Sequence, residues 1–333
     1  MEKNIKKAIV ITSIFPPTEA VNEFSKLEEY KLVVVADKKT PQNWHCKNVA
    51  FLSVEEQEKS TFDLAKNLPY NHYCRKMLGY LKAIDSGATF IIDTDDDNIP
   101  KSDWQFPGFD QNFNVVSIPG FINIYQYFTD QKIWPRGLPL NLINTNFSIK
   151  ENMQYAKCNI GIWQGLADED PDVDAIYRLT SDKPCFFENN LPVVLDKGTI
   201  CPFNTQNTMI RKELFALLYL PTYVTFRFTD ILRGLIAQPI MWLYNYQLGF
   251  THATVVQKRN PHNYMKDFIS ELPMYEHCEK VTEIVSGKIS DQHTIDNNLY
   301  NAYEGLLKNN IICNDEMKTL EAWLKDLQKI NHI

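Results

Sequence analysis

Two short, continuous apolar runs separated by an amphipathic segment constrain this chain more than any other feature. Residues 8–14 read AIVITSI and residues 32–36 read LVVVA, and neither run alternates apolar with polar residues. Strands of this kind are typical of parallel sheets covered on both faces. Between the runs, Val21, Phe24 and Leu27 fall at helical spacing. The chain is therefore predicted to open with a β-α-β unit.

The same alternation continues as far as residue 94. A third strand is predicted at 49–54, a helix at 72–87 that ends at Gly87, and a buried strand at 89–94. Alternating strands and helices predict an α/β fold with a mostly parallel central sheet and right-handed crossovers. Ligands of such sheets bind beyond the carboxyl ends of the strands.

The later part of the chain has a different pattern. Residues 101–255 look less regular, and an amphipathic segment follows Thr229. Short strands are predicted in this part at 114–118, 192–195 and 223–226. From about residue 291, two charged amphipathic segments predict helices.

Composition argues against several classes of protein. The 333 residues carry a net charge of -7, which argues against a protein that coats nucleic acid. No segment approaches the roughly 18 apolar residues of a membrane span, and the first apolar run is too short for a secretory signal. The seven cysteines form no CxxC pair, which is typical of free thiols in a reducing compartment. We therefore expect a cytoplasmic protein without a transmembrane segment.

An acidic cluster follows the strand predicted at 89–94. Residues 90–100 read FIIDTDDDNIP, which places Asp95, Asp96 and Asp97 at the carboxyl end of that strand. Carboxylates two residues apart can bind one divalent ion, which then shares its other coordination positions with a diphosphate. A solvated acidic loop is the alternative. The buried strand before the cluster and the DNIP sequence that ends it favour the metal site.

The motifs around this cluster resemble those of the STELLO family of glycosyltransferases. This sequence contains the following motifs in the order that the family has them: VVVADKKTP (33–41), RK..GYL.AI..GA (75–88), DDD (95–97), DPDVDAIYRLT (170–180), PFNTQNTMI (202–210), FRFTDILRGLIAQ (226–238) and QKRNPHNYMKDF (257–268). The chain is more distantly similar to the reversibly glycosylated polypeptides, which are plant UDP-arabinopyranose mutases. The resemblance spans roughly residues 5–270, and we recognise none beyond that point.

The resemblance implies a GT-A fold over residues 1–270. Its nucleotide-binding half would cover about 1–100 and its acceptor half about 101–270, with a helical C-terminal extension over 271–333. The implied activity moves a sugar from a nucleotide-diphospho-sugar, with UDP the expected nucleotide, to a hydroxyl acceptor. Mn²⁺ or Mg²⁺ is the implied cofactor, and synthesis of a surface glycan or polysaccharide is the implied setting.

The resemblance also implies a donor site at the strand ends. Thr12 and Ser13 end the first strand, where the base and ribose would bind. Asp37 ends the second strand and would accept hydrogen bonds from the ribose or the base, and a turn-forming Asp is the alternative. Asp95 and Asp96 would also face the donor.

Cations are expected around the diphosphate. Arg75 and Lys76 begin the helix before the acidic cluster, and a solvated helix face is their alternative role. Lys258 and Arg259 would add positive charge at the leaving group. His262 is the expected third metal ligand beside Asp95 and Asp97, and a surface histidine is the alternative.

Acidic residues are also expected on the acceptor side. Asp230 is the expected catalytic base, which favours inversion, and a helix N-cap is a compatible alternative. Arg233 would pair with this acid or bind a phosphate. Asp172 and Asp174 would contact sugar hydroxyls, and together with Asp170 they could instead form a second metal site.

Two other functions stay open. A nucleotide-sugar mutase would need no acceptor, but the segment around Arg178 does not match the reactive-arginine region of the mutases. A non-catalytic scaffold for a glycan synthase is the second, and the intact acidic cluster argues against it. Plant STELLO proteins have a membrane anchor, which this sequence does not show. The sequence leaves the sugar, the acceptor and the oligomeric state open.

Overall fold

A computed structural model describes residues 6–259 and 263–330 of the chain. The strands are β1 (Lys7–Ser13), β2 (Lys31–Ala36), β3 (Val49–Leu52), β4 (Phe90–Thr94), β5 (Asn98–Pro100), β6 (Asn112–Val116), β7 (Gly120–Phe121), β8 (Met153–Lys157), β9 (Ile160–Asp168), β10 (Val193–Leu195), β11 (Thr199–Ile200), β12 (Asn207–Arg211) and β13 (Gln247–Gln257). The helices are α1 (Glu19–Phe24), α2 (Val54–Glu58), α3 (Leu64–Asn67), α4 (Lys76–Asp85), α5 (Tyr125–Phe128), α6 (Ala175–Thr180), α7 (Thr229–Leu243), α8 (Tyr264–Ser286), α9 (Ile295–Lys308) and α10 (Asn314–Lys329).

One large sheet organises the molecule. Its strand order is β3-β2-β1-β4-β12-β9-β13-β10-β6-β8, and β5 pairs with β13 outside this path. Strands β5, β6, β10 and β12 run opposite to the others, so most strands point the same way. Helices flank the sheet and complete the chain at its C-terminus. The α/β class predicted from the sequence, with a mostly parallel central sheet, is confirmed.

The first third of the chain folds as its apolar pattern predicts. The continuous runs become β1 and β2, whose central residues are fully buried because both faces of the sheet are covered. The predicted third strand is β3 and the strand before the acidic cluster is β4. The helix predicted at 72–87 begins with a 3-10 turn at Tyr73–Arg75 and continues as α4.

The middle of the chain is more regular than its sequence indicates. It supplies β12, β9 and β13, which lie at the centre of the sheet. Glycines interrupt the apolar pattern of β9 and β13 in the sequence. They are present because the sheet packs closely at their positions. A Cβ atom at Gly249 would lie 2.3 Å from the Trp163 ring. The short strands predicted near 114–118 and 192–195 are present as β6 and β10.

The strand predicted at 223–226 is wrong. These residues form an irregular segment before α7, and Tyr223 and Phe226 are exposed. The backbone N–H groups of Thr222 and Tyr223 donate to the Glu316 carboxylate at 2.9 and 2.7 Å rather than to a neighbouring strand. A contact with the C-terminal helices therefore replaces strand pairing here.

The C-terminal helices share a core with the rest of the molecule. Residue 270, the expected domain boundary, lies inside α8. Leu299 and Trp323 belong to the same buried apolar cluster as Met77 of α4. Asp326 of α10 accepts from the backbone N–H of Leu64 at 2.7 Å, which ties the last helix to α3. Within the described residues, no helix is long and apolar enough to cross a membrane.

Candidate functional site

A cleft of about 320 Å³ opens at the carboxyl edge of the sheet. Parallel strands β1, β2 and β4 all end there, and the antiparallel strand β12 begins there. The cleft is lined by Thr12, Ser13, Ile14, Phe15, Asp37, Lys39, Asn71, His72, Tyr73, Asp95, Asp96, Asp97, Arg136, Asp172, Asn204, Thr205, Gln206, Phe226, Arg227, Asp230, Gln257 and Arg259. The sheet topology thus brings together side chains that are far apart in sequence.

The acidic cluster forms the turn between β4 and β5 and lies in the cleft wall. The Ser13 hydroxyl donates to Asp96, and the Gln257 amide donates to Asp97 Oδ2 at 3.2 Å. Asp95 accepts from Lys76 at 2.8 Å. The three carboxylates therefore contact β1, β13 and α4, which fixes the turn against the sheet edge.

These carboxylates are poorly compensated by positive charge. Burial and the neighbouring charges of Asp95 and Asp96 raise the pKa of Asp97 to about 7. Burial also raises the pKa of Asp95, to about 6, despite the Lys76 ammonium beside it. Such shifts indicate a site that favours an added cation.

The donor atoms of the acidic turn are compatible with a divalent ion. Asp97 Oδ1 is buried, and within the described residues it has no hydrogen-bond partner. No group of three or more His, Cys, Asp or Glu side chains among residues 6–259 and 263–330 is arranged as a ready metal site. One or two carboxylates with the remaining positions left to phosphates is the arrangement that Mg²⁺ commonly takes at nucleotide sites. His262, the expected third ligand, lies outside the described residues.

Lys76 lies beneath the cluster and not in the cleft lining. Its fully buried ammonium donates to Asp93 and Asp95 at 2.9 and 2.8 Å. Arg233 donates to the other oxygen of Asp93 at 2.9 Å and does not line the cleft either. The Tyr80 hydroxyl donates to the same oxygen at 2.6 Å. The expected phosphate contacts of Lys76 and Arg233 are therefore replaced by a buried network that supports β4.

Arg75 also lies away from the cleft lining. Its guanidinium is buried and donates to the Gln57 side chain at 2.7 Å and to the Leu68 carbonyl at 3.0 Å. It stacks on the Tyr70 ring at 4.1 Å. This position corrects the expectation that Arg75 reaches a diphosphate, because the side chain turns from the first helical turn into the protein interior.

The expected donor residues meet at one end of the cleft. Thr12 and Ser13 lie at the end of β1, and Asp37 follows β2. The Asp37 carboxylate accepts backbone N–H bonds from Lys38 at 2.7 Å and from His72 at 3.1 Å, so it fixes the local turn as well as lining the cleft. His72 is part of an aromatic group that sequence reasoning missed.

That aromatic group forms one side of the cleft mouth. His72 stacks on Tyr73 with ring centroids 5.4 Å apart, and Phe226 packs edge-on against Tyr73 at 4.7 Å. Phe226 is 53% exposed. Flat rings beside polar strand ends are suited to contact a base or a sugar face.

A guanidinium joins two further carboxylates of the cleft lining. Arg136 donates to Asp172 through Nε and Nη2, and to Asp230 through Nη1 and Nη2 at 3.0 Å each. Burial opposes charge on Asp172, but Arg136 and Arg227 together lower its pKa to about 2. The Asn204 amide donates to Asp172 at 2.8 Å. Arg136, which the sequence analysis did not single out, thus brings Asp172 and Asp230 together.

Sequence reasoning missed Arg136 because its segment, IWPRGLPL, has no strand or helix pattern. The neighbouring glycine was the available signal. Gly137 has a φ of 93°, and a Cβ atom there would lie 2.5 Å from Ile231 of α7. Glycine at this position lets the Arg136 loop pack against the helix that carries Asp230.

Three further expectations are changed by the structure. Asp174 is the N-cap of α6, where it accepts from the Tyr177 N–H at 2.9 Å and the Trp134 indole at 2.7 Å, and it does not line the cleft. Asp230 lies in the first turn of α7, whose N-cap is Phe228. Lys258 is exposed beside Glu19 at 3.3 Å and is also absent from the lining.

Arg259, unlike its neighbour Lys258, does line the cleft. Its side chain is only 8% exposed, and its ion pairs with Asp170 and Asp267 are 4.0 and 3.7 Å long. These distances exceed those of a hydrogen bond. The guanidinium therefore keeps donor capacity for a ligand on this side of the cleft.

Comparisons with known proteins agree with the motifs. The family model of the STELLO glycosyltransferases matches residues 227–333. "Probable glycosyltransferase STELLO1" and "Probable glycosyltransferase STELLO2" of Arabidopsis thaliana are each 26% identical to this chain over 98% of its length. This chain is similar to the STELLO glycosyltransferases. The resemblance recognised in the motifs is confirmed.

The STELLO match extends further than the motifs indicated. It includes the C-terminal helices, where no resemblance was recognised, and so corrects that limit. The chain spans 45% of the length of each STELLO relative. A solved structure described as "Crystal Structure of a Mycobacterial Protein" is 9% identical with a TM-score of 0.37, covering 86% of this chain and 76% of that one. A likeness at this level carries no argument about the site.

Proposed function

We propose that this chain is a metal-dependent glycosyltransferase that uses a nucleotide-diphospho-sugar, with UDP the preferred nucleotide. The observation that carries the proposal is Asp97 Oδ1, which is buried and has no hydrogen-bond partner among residues 6–259 and 263–330. It lies in a turn of three poorly compensated carboxylates at the carboxyl edge of the sheet. Such a turn favours Mn²⁺ or Mg²⁺, and the ion would neutralise the diphosphate of the donor. The STELLO relatives are themselves named probable glycosyltransferases.

The residues that line the cleft suit an ordered placement of the donor. The nucleoside would lie at Thr12, Ser13 and Asp37, near His72, whose backbone N–H donates to Asp37. The diphosphate would lie between the acidic turn and Arg259. The sugar would then reach Asp172 and the acceptor would approach Asp230.

Asp230 remains the proposed base, and inversion the proposed outcome. Its carboxylate lines the cleft and is held by Arg136 at 3.0 Å, which fixes its position for accepting a proton from an acceptor hydroxyl. Both oxygens already accept hydrogen bonds from Arg136, and Oδ2 lies 3.3 Å from the Thr205 N–H. An acceptor hydroxyl would therefore have to take over one of these bonds to bind within reach of Asp230.

The decisive experiment is donor binding measured by calorimetry. UDP-, GDP-, CMP- and dTDP-sugars would each be titrated with and without Mn²⁺. We expect one nucleotide class to bind only when the metal is present. The Asp97→Asn protein should bind that donor about tenfold to a hundredfold more weakly, since a metal-facing oxygen is lost.

A matched control separates this effect from a general loss of charge. Asp130 is exposed and lies outside the cleft lining, so Asp130→Asn removes one carboxylate without touching the site. It should bind as the wild type does. Absence of binding for every nucleotide, or equal binding without metal and in Asp97→Asn, would contradict the proposal.

A further inference from the structure

We infer that the sugar carried by the donor is uncharged, a neutral hexose or pentose rather than a uronic acid. This inference rests on the proposed function and adds the chemical class of the sugar. It follows from the hydrogen bonds and ion pairs that the charged groups beside the expected sugar already make with one another. The residues concerned are Arg136, Asp172, Asp230, Arg227 and Arg259.

The first step concerns Arg136, the cation nearest the expected sugar. A guanidinium has five N–H donors. Arg136 Nε donates to Asp172 Oδ1, and Nη2 donates to Asp172 Oδ2 and Asp230 Oδ2. Nη1 donates to Asp230 Oδ1 and to the Arg227 carbonyl. All five donors are therefore used, and none remains for a carboxylate on a substrate.

The second step concerns the charge left beside the expected sugar. Asp172 and Asp230 carry two negative charges around the single positive charge of Arg136. Their side chains are 10% and 7% exposed, so the excess negative charge lies at a buried surface of the cleft. A substrate carboxylate placed there would be repelled, whereas sugar hydroxyls would donate to the carboxylate oxygens.

The neighbouring arginines do not reverse this balance. Arg227 comes within 3.8 Å of Asp172 Oδ1, but its hydrogen bonds go to Glu271, which is fully buried, at 2.9 Å, and to the Val173 carbonyl at 3.3 Å. Arg259 faces Asp170 and Asp267, and its positive charge acts on Asp97 at the acidic turn and, less than those of Arg136 and Arg227, on Asp172. In the proposed placement, the diphosphate takes up the remaining donors of Arg259.

The uncharged polar side chains of the lining also favour a neutral sugar. Asn204, Gln206 and Gln257 present amide groups to the cleft. The amides of Asn204 and Gln257 already donate to Asp172 and Asp97. Amide groups can donate to and accept from hydroxyls, and they do not offset a negative charge. The site is therefore suited to read hydroxyl positions and not a carboxylate.

Calorimetry with matched donors tests this inference. UDP alone, UDP-glucose with UDP-glucuronate, and UDP-galactose with UDP-galacturonate would be titrated in the presence of Mn²⁺. The members of each pair differ only in a hydroxymethyl group against a carboxylate. We expect the neutral member of at least one pair to bind about tenfold or more tightly than its uronate partner. If the nucleotide panel selects GDP, the corresponding pair is GDP-mannose and GDP-mannuronate.

A variant series ties the preference to this cluster. Asp172→Asn removes one negative charge and frees a donor of Arg136, so it should narrow the ratio between the two donors. Asp130→Asn should leave the ratio as in the wild type. A uronate donor that binds as tightly as its neutral partner in both pairs, while UDP itself binds in a metal-dependent way, overturns the inference and leaves the proposed function standing. Failure of every nucleotide to bind overturns the proposed function and the inference with it.

Discussion

Arg136 makes two parallel hydrogen bonds to Asp172, from Nε to Oδ1 at 2.8 Å and from Nη2 to Oδ2 at 2.7 Å. Its other edge is directed at Asp230. The loop that follows α5 is thereby joined to the loop after β9 and to the first turn of α7. One side chain thus holds together three segments that line the cleft.

Replacing Arg136 should destabilise the protein strongly. Arg136→Met would leave two buried carboxylates without their cation, and we expect the free energy of unfolding to fall by about 3–5 kcal/mol. Arg136→Lys keeps the positive charge but not the five-donor geometry. Its free energy of unfolding should therefore lie between those of the wild type and Arg136→Met. Urea denaturation would measure this, with Lys132→Met, an exposed cation of the same loop, as control. A neutral effect of Arg136→Met would show that the cluster contributes little to stability.

Removing a carboxylate from the acidic turn should have the opposite effect on the metal-free protein. Asp97 is buried beside Asp95 and Asp96, and these like charges repel one another. In EDTA at pH 8, Asp97→Asn should raise the free energy of unfolding by about 1–2 kcal/mol. Mn²⁺ with the donor should then stabilise the wild type more than the variant. A lower stability of Asp97→Asn in EDTA would contradict this account of the turn.

Asp174 should make stability depend on pH in a defined direction. Burial raises its pKa to about 6 in the folded protein, so its favourable contribution is present below the unfolded pKa, near 4, and is lost as the pH rises through 6. The stability of Asp174→Asn should not fall in this way, because the variant has no carboxyl group at this position. The stability of the variant relative to wild type should therefore increase by about 2–3 kcal/mol between pH 4 and pH 7. A difference that stays flat across this range, as expected for Asp130→Asn, would refute the assignment.

The C-terminal helix α10 should hold the cleft wall in place through Glu316. This buried carboxylate accepts from the backbone of Thr222 and Tyr223 and from the Tyr219 hydroxyl. Glu316→Ala should lower the free energy of unfolding by about 2–4 kcal/mol, because buried N–H groups lose their acceptor. It should also speed amide hydrogen exchange over residues 219–227, which include Phe226 and Arg227 of the cleft. Glu321→Gln, an exposed change on the same helix, should do neither.

The acidic turn shows how much of the site could be predicted. Asp95, Asp96 and Asp97 follow a buried strand, and the sequence places strand ends at the ligand-binding edge of a parallel sheet. Ser13 and Asp37 follow from the same rule. The residues concerned are adjacent to strands whose apolar pattern is unambiguous, so local information was sufficient.

Charged residues were harder to assign, because their partners come from distant segments. Arg75 and Lys76 are neighbours in sequence, yet one turns to Gln57 and Leu68 and the other to Asp93 and Asp95. Asp172 and Asp174 alternate in sequence, yet one lines the cleft and the other caps α6. The orientation of each side chain depends on which polar group lies near it in the folded protein.

The sequence by itself determined the β-α-β opening, the acidic turn, the C-terminal helices and the relationship to the STELLO family. Each of these depends on spacing or identity within a short segment. Only the tertiary structure decided that β12, β9 and β13 form the centre of the sheet and that Arg136 joins Asp172 to Asp230. Those contacts join residues up to 94 positions apart. Strand pairing in the sheet and the ion pairs of Arg136 both need partners from distant segments, which no local pattern encodes.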